Sequence, residues 1–142
     1  MPTPESLPGR ALISRAVAGE VMTLEMPLSL WGGLDPESGT IIDPRHPQNG
    51  AVVTGRVLVL PMGRGSSSAS SILLEAARLG TAPAAIITQE TDGILALGAA
   101  VAREMYESYP AVVVLEGEAY SRLRTGDHVE IHEDGRIVLR GR

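Results

Sequence analysis

Three consecutive hydroxyls, Ser66, Ser67 and Ser68, follow Pro61-Met62-Gly63-Arg64-Gly65 and lead into Ala69-Ser70-Ser71. The apolar run Val57-Leu58-Val59-Leu60 precedes this stretch and a helix-like run, Ile72 to Leu79, follows it. That order predicts a strand, a glycine turn and a helix start. Such a turn aims backbone N–H groups at one spot, and the helix dipole favours an anion there. Glycines let the backbone approach a ligand closely. A serine hydroxyl in this cradle has two competing uses. It can cap the helix, the ordinary role of serine before a helix. It can also react, because an alkoxide held among N–H donors is stabilised as an oxyanion is. The second use suits removal of a proton beside a carboxylate. Arg64, the only basic residue of the loop, suits a bidentate grip on a carboxylate or phosphate, or a solvated surface position. The loop has no Gly-Lys-Ser/Thr and is not Gly-x-Ser-x-Gly, so neither a P-loop nor a hydrolase elbow is present.

The remaining chemistry is bounded by composition. The chain has 142 residues and no cysteine, which excludes disulfides and thiol nucleophiles and removes the usual ligands of an iron–sulfur cluster. Its three histidines, His46, His128 and His132, lack zincin spacing, and no metal site is expected. His46, between Pro44-Arg45 and Pro47, reads as structural, and Trp31, the sole Trp, as packed rather than stacked on a ligand. A formal charge of −5 argues against nucleic acid or an anionic membrane as partner. No run approaches about 18 apolar residues, so no membrane span is expected. The start lacks the basic and apolar stretches of a signal peptide, and a cytoplasmic location is the expectation.

The elements that must position the serines are legible in outline. Aliphatics with glycine turns and no Phe fit an α/β layered domain of this length. Residues 1–8, with three prolines, read as a flexible N-terminal arm, and 9–142 as a single domain. Arg10 to Arg15 and Val21 to Met26 read as strands, with Ala18-Gly19-Glu20 as the turn between them. Leu30 to Pro47 is dense in Gly, Pro and Asp and reads as a long ordered loop. Asp35 and Asp43 precede prolines there; they either make turns or belong to a loop with a role beside the site.

Val52 to Leu60, Ala84 to Thr88 and Ala111 to Leu115 read as buried strands, with a break near Gly55. Helices follow the first two. One carries Ile72, Leu73, Ala76, Ala77 and Leu79 on its inner side and stops at Gly80; the other, Gly93 to Tyr106, has a core stripe of Ile94, Leu97, Val101 and Met105. A short helix over Glu118 to Leu123 completes a βαβαβα order. That order predicts a central parallel sheet with ligands at the strands' C-terminal ends, where the serine loop and the turn from Gln89 to Asp92 both fall. The tail alternates from Asp127 to His132 and turns at Glu133-Asp134-Gly135-Arg136 into Ile137-Val138-Leu139. Strands of the two termini are expected to pair into a second small sheet or barrel.

Three segments together resemble the small subunit, or swivelling domain, of the aconitase X family. They are Trp31-Gly32-Gly33-Leu34-Asp35-Pro36 with Gly39 and Asp43, Leu60 to Ser68, and Gly80-Thr81-Ala82-Pro83-Ala84-Ala85-Ile86-Ile87. The resemblance runs from about Gly9 to Val114. It implies a swivelling β/β/α fold and a large-subunit partner that carries the iron–sulfur cluster. It also implies dehydration of a small hydroxy acid, such as cis-3-hydroxy-L-proline in bacteria or phosphomevalonate in archaea. In aconitases the matching loop reads Gly-Ser-Ser-Arg-Glu and its first serine is the catalytic base; laid onto this chain, that serine is Ser66. Arg64, Gly65, Ser67, Ser68 and Asp43 are then the substrate-binding candidates. The match departs at Ser68, where aconitase has Arg, so Arg64 or the partner must supply that grip. Archaeal members carry Gly-Lys-Gly-Ser-Thr-Val here, and Gly-Arg-Gly-Ser-Ser-Ser lies nearer the bacterial branch.

The chain is therefore expected to be an enzyme subunit inactive without its large subunit, with self-association when isolated as one possibility. The alternative is a non-catalytic module that holds a small anion. A phosphohistidine-carrying swivelling domain would need a histidine in the serine loop, and none lies there.

Overall fold

A computed structural model describes residues 4–61 and 68–141 of the chain. Ten strands and four helical segments are assigned among them. In chain order these are β1 (Glu5–Leu7), β2 (Arg10–Ile13), β3 (Val17–Thr23), a single turn α1 (Leu30–Gly33), and β4 (Leu34–Asp35) with β5 (Thr40–Ile41). Then come β6 (Val57–Leu60), α2 (Ser68–Leu79), β7 (Ala85–Thr88), α3 (Gly93–Met105), β8 (Ala111–Val114), α4 (Gly117–Ser121), β9 (His128–Ile131) and β10 (Ile137–Gly141).

Hydrogen bonds run continuously through the order β1-β10-β9-β3-β6-β7-β8-β2, with β4 and β5 as a separate hairpin. β3, β6, β7 and β8 are parallel, as the βαβ order predicts. β2 joins the far edge antiparallel to β8. β3 serves two layers: Val17 to Glu20 pair antiparallel with β9, and Val21 to Thr23 pair parallel with β6.

Side-chain alternation in the central strands then builds two cores. Leu58, Leu60, Ile86 and Val112 face one cluster with Ala69, Leu73, Leu95 and Ala99 of the helices. Val57, Val59, Ala85, Ile87, Ala111 and Val113 face the other, with Leu7, Val129, Ile131, Ile137 and Leu139 of the terminal strands. A parallel sheet buried on both faces must be apolar at successive positions, as these strands are. The result is a three-layer β/β/α arrangement, in agreement with the resemblance.

Four local expectations are corrected. Residues 5–7 are not a loose arm: Glu5, Ser6 and Leu7 pair with Leu139, Val138 and Ile137. Leu7 is buried, and that burial outweighs the flanking prolines. Ala18-Gly19-Glu20 is not a turn but the middle of β3. Gly19 marks a close approach instead, since a Cβ there would lie 3.2 Å from Val57 Cγ2 and 3.3 Å from the Gly55 carbonyl oxygen. The core stripe of α3 is Leu95, Gly98, Ala99 and Ala102, while Leu97 and Met105 are exposed. Leu79 is likewise exposed at the end of α2.

The ends of the helices follow their chemistry. Gly80 sits at φ +77° and closes α2 with Gly80 N–H on the Ala77 carbonyl and Thr81 N–H on the Ala76 carbonyl. Asp92 caps α3, its Oδ1 accepting from the N–H groups of Ile94 and Leu95 at 3.1 and 3.0 Å.

Tyr120 of α4 packs on the inter-sheet core, and burial pushes its phenol up from 10.0 to about 12. The unfolded chain therefore releases this proton first. The stability tied to the neutral phenol is complete below pH 10 and is lost as pH rises from 10.0 toward about 12. Tyr120→Phe should flatten this alkaline loss, measured as Tm against pH; an unchanged slope would show that the phenol contributes nothing to it.

Candidate active site

The C-terminal ends of the parallel strands meet along one edge. Leu24 N–H donates to the Val59 carbonyl at 2.7 Å, Gln89 N–H to the Pro61 carbonyl at 3.1 Å, and Leu115 N–H to the Thr88 carbonyl at 2.9 Å. These bonds carry the order of β3, β6, β7 and β8 past the ends of the strands. The connection from β6 to α2 leaves this edge at Pro61 and returns at Ser68, the half-buried first residue of α2. Arg64, Gly65, Ser66 and Ser67 lie outside the described residues.

On the β7–β8 side of this connection lies an open groove of about 540 Å³ lined by Gln89, Glu90, Thr91, Glu116 and Gly117. Its turn is held by fully buried Thr88, whose hydroxyl donates to the Glu90 carbonyl at 2.6 Å. Arg10 of β2 reaches the Thr91 hydroxyl at 3.0 Å. Two exposed carboxylates, Glu90 and Glu116, stand among these described lining residues, with the Arg10 guanidinium beside them. The turn from Gln89 to Asp92 is expected from the sequence at this edge. Glu116 escapes that reading, although its position directly after the third buried strand is the same signal.

On the β3 side lies a second groove, about 480 Å³, lined by Met26, Pro27, Asp43, Pro44, Arg45 and His46. Asp43 is half-buried, and its Oδ1 accepts the Arg45 N–H at 2.9 Å, so it makes the turn its following proline suggests. Asp35 does the same with Glu37 N–H at 3.0 Å. His46 is 5% exposed. Its Nδ1 accepts the Gln48 N–H at 3.1 Å, so Nε2 carries the proton and donates to the Met26 carbonyl at 3.1 Å. His46 thus fastens the far end of the long loop to its beginning, the structural role expected of it. Trp31 contradicts expectation: it is 62% exposed and does not pack into the core.

Among the described residues, no group of three or more His, Asp or Glu side chains is placed to hold a metal ion. Ser68 and the Gln89–Thr91 turn with Glu116 thus each follow a parallel strand at this edge, and Asp43 lines the separate groove on the β3 side.

The family model described as the aconitase X swivel domain matches residues 6–139. The chain is 42% identical, over 94% of its length, to the cis-3-hydroxy-L-proline dehydratase of Pseudomonas aeruginosa, of which it spans 24%. It is 38% identical to the phosphomevalonate dehydratase small subunit of Methanopyrus kandleri, over 89% of this chain and 90% of that one. Among solved structures, that of Thermococcus kodakaraensis aconitase X in its holo-form superposes with a TM-score of 0.83 at 31% identity, covering 96% of this chain and 98% of that one.

Proposed function

Because the chain belongs to the aconitase X swivel-domain family, we propose that it is the proton-abstracting part of a two-part hydro-lyase acting on a small hydroxy acid. The observation that carries this reading is the match, across nearly the whole chain, to a protein named a dehydratase. A relative of similar extent is named a small subunit, so the remainder of the enzyme is assigned to a larger partner. With no cysteine, the chain cannot hold the family's iron–sulfur cluster in the usual way, and the cluster is assigned to that partner too.

In the proposed reaction the Ser66 alkoxide takes a proton from carbon, a carbon–carbon double bond forms, and the neighbouring carbon–oxygen bond breaks with its electron pair leaving on hydroxide; return of the proton from Ser66 to that hydroxide releases water and restores the alkoxide. The first turn of α2 lies beside this serine in the chain, and its dipole favours the alkoxide. Arg64, Gly65, Ser67, Ser68 and Asp43 are proposed to hold and orient the substrate, Arg64 in place of the arginine that the aconitase loop carries where Ser68 stands.

The relative at 42% identity favours one substrate class, a hydroxylated imino acid. Glu90 and Glu116 suit its ammonium group, and the Arg10 guanidinium stands beside them at the Thr91 hydroxyl. Dehydration of phosphomevalonate is the second reading, supported by the small-subunit relatives.

Anaerobic co-production with an aconitase X large subunit, followed by assay on both compounds, tests this. The expected result is a stable complex that dehydrates cis-3-hydroxy-L-proline at least about tenfold faster than phosphomevalonate. The reverse preference would move the substrate to the second reading. A complex inactive on both, or no complex, would return the chain to a module that only binds a small anion.

A further inference from the structure

Three large apolar side chains stand in solvent on the long segment beside the candidate site: Met26 at 44%, Trp31 at 62% and Ile42 at 47% exposure. The fold draws their backbones together. Ile42 N–H donates to the Gly33 carbonyl at 2.8 Å, two residues beyond Trp31. His46 holds the Met26 carbonyl at 3.1 Å. Gly33 sits so close to this layer that a Cβ on it would lie 2.9 Å from Leu28 Cδ1 and 3.8 Å from Asp43 Cβ. The neighbours Leu24, Leu28, Leu30, Leu34 and Ile41 are all buried, so the exposed three stand on a rigid apolar base. At Trp31 and Gly32 the helical turn breaks, with Trp31 ψ at 114° and Gly32 φ at +76°, a backbone value suited to glycine. Large apolar side chains grouped in solvent mark interaction surfaces, and here the group holds the only tryptophan of a chain with no Phe.

We infer that the Met26–Trp31–Ile42 surface docks the larger partner of this enzyme, with Trp31 as its central anchor. This rests on the function proposed above. Two observations select the occupant. In the Pseudomonas aeruginosa relative the matching region is 24% of one protein, so there the domain is covalently joined to a much larger remainder. In Methanopyrus kandleri a chain of nearly the same extent is named a small subunit. A domain that is joined in one relative and separate in another needs a surface that keeps the two parts together without the covalent link. The apolar surface also adjoins the site edge. α1 packs on α2, and Met26 lines the Asp43 groove. Docking here closes the partner over the end of the sheet from which the serine loop emerges. Aromatic anchors of this kind dominate interface energetics.

One tryptophan makes the test clean. 5-Fluorotryptophan incorporated into this chain alone has a single site, Trp31, and reports one fluorine resonance. In the free chain that resonance should show the solvent-isotope shift of an exposed indole. In the complex co-purified with the unlabelled large subunit it should move and lose most of that shift. Trp31→Ala should weaken the complex roughly tenfold or more while leaving the circular dichroism of the free chain unchanged, and Trp31→Phe should recover much of the loss.

An assembled, active complex with an unmoved resonance would overturn the surface while leaving the proposed function intact. Failure to assemble with the unsubstituted chain would overturn the proposed function, and this docking surface with it. A resonance that moves with the concentration of the free chain, and not with the partner, would assign the surface to self-association and overturn the inference.

Discussion

Ser66→Ala lowers turnover of the reconstituted complex by about a thousandfold, leaves assembly with the large subunit unchanged, and leaves the thermal unfolding of the free chain nearly so. This is the expected result if Ser66 is the base, because a positioned proton acceptor contributes typically 10²–10⁴-fold. The capping role predicts the opposite division. Loss of a serine cap costs about 1 kcal/mol of stability and leaves chemistry intact. Turnover and Tm measured on the same variant therefore separate the two uses of the hydroxyl. Ser67→Ala is the internal comparison: as a substrate-orienting residue it should cost less in turnover and more in KM. A Ser66→Ala complex that keeps near-normal turnover would remove Ser66 from the mechanism. A thousandfold loss at Ser67 instead would move the base by one residue.

Gly98→Val is expected to destabilise the chain by about 3 kcal/mol, a fall in Tm on the order of 10 °C. Gly98 lies on the face of α3 that meets α2, and a Cβ there would lie 2.8 Å from the Ser70 carbonyl oxygen, 3.1 Å from Ser70 Cα and 3.3 Å from Leu73 Cβ. Two of those atoms are backbone, so no rotamer change relieves the contact and the helices must part. Ser70 belongs to the first turn of α2, two residues after Ser68, so the same displacement should disturb the serine loop and lower turnover in the complex. Gly98→Ala should lose less, because helix propensity returns up to about 1 kcal/mol against the contact. Leu97→Ala, one residue away on the exposed face, should change stability by less than about 0.5 kcal/mol. If Leu97→Ala proved the costlier of the two, the large-residue stripe read from the sequence would be the true core face.

That comparison also shows where reading the chain alone succeeds. The parallel strands β6, β7 and β8 were legible because a strand buried on both faces must be apolar throughout, and Val57–Leu60, Ala85–Thr88 and Ala111–Val114 are nearly so. The stop of α2 at Gly80 and the turn at Gly135 were legible because positive φ selects glycine. The α3 stripe failed for the complementary reason. Periodicity weights large apolar residues, whereas two helices that pack closely meet through small ones, and Gly98, Ala99 and Ala102 are invisible to a hydrophobic pattern. The strand at Glu5–Leu7 failed because its stability comes from pairing with β10, 130 to 134 residues away.

The candidate site divides the same way. Local order, strand then glycine turn then helix, is a property of consecutive residues, so the class of fold and the attachment of the serine-bearing stretch to the end of β6 are legible in the chain alone. Absence of cysteine, likewise a property of the chain alone, removed the usual protein ligands of an iron–sulfur cluster. The surroundings of the sheet's C-terminal edge come instead from long-range contacts. Glu116 lines the same groove as Glu90 because β8 pairs beside β7. His46 is held at the Met26 carbonyl, and Trp31 is left in solvent, because the 26–46 segment folds back on itself. Those arrangements depend on contacts between residues far apart in the chain, and such contacts form only when the burial of both faces of the central sheet holds the layers together.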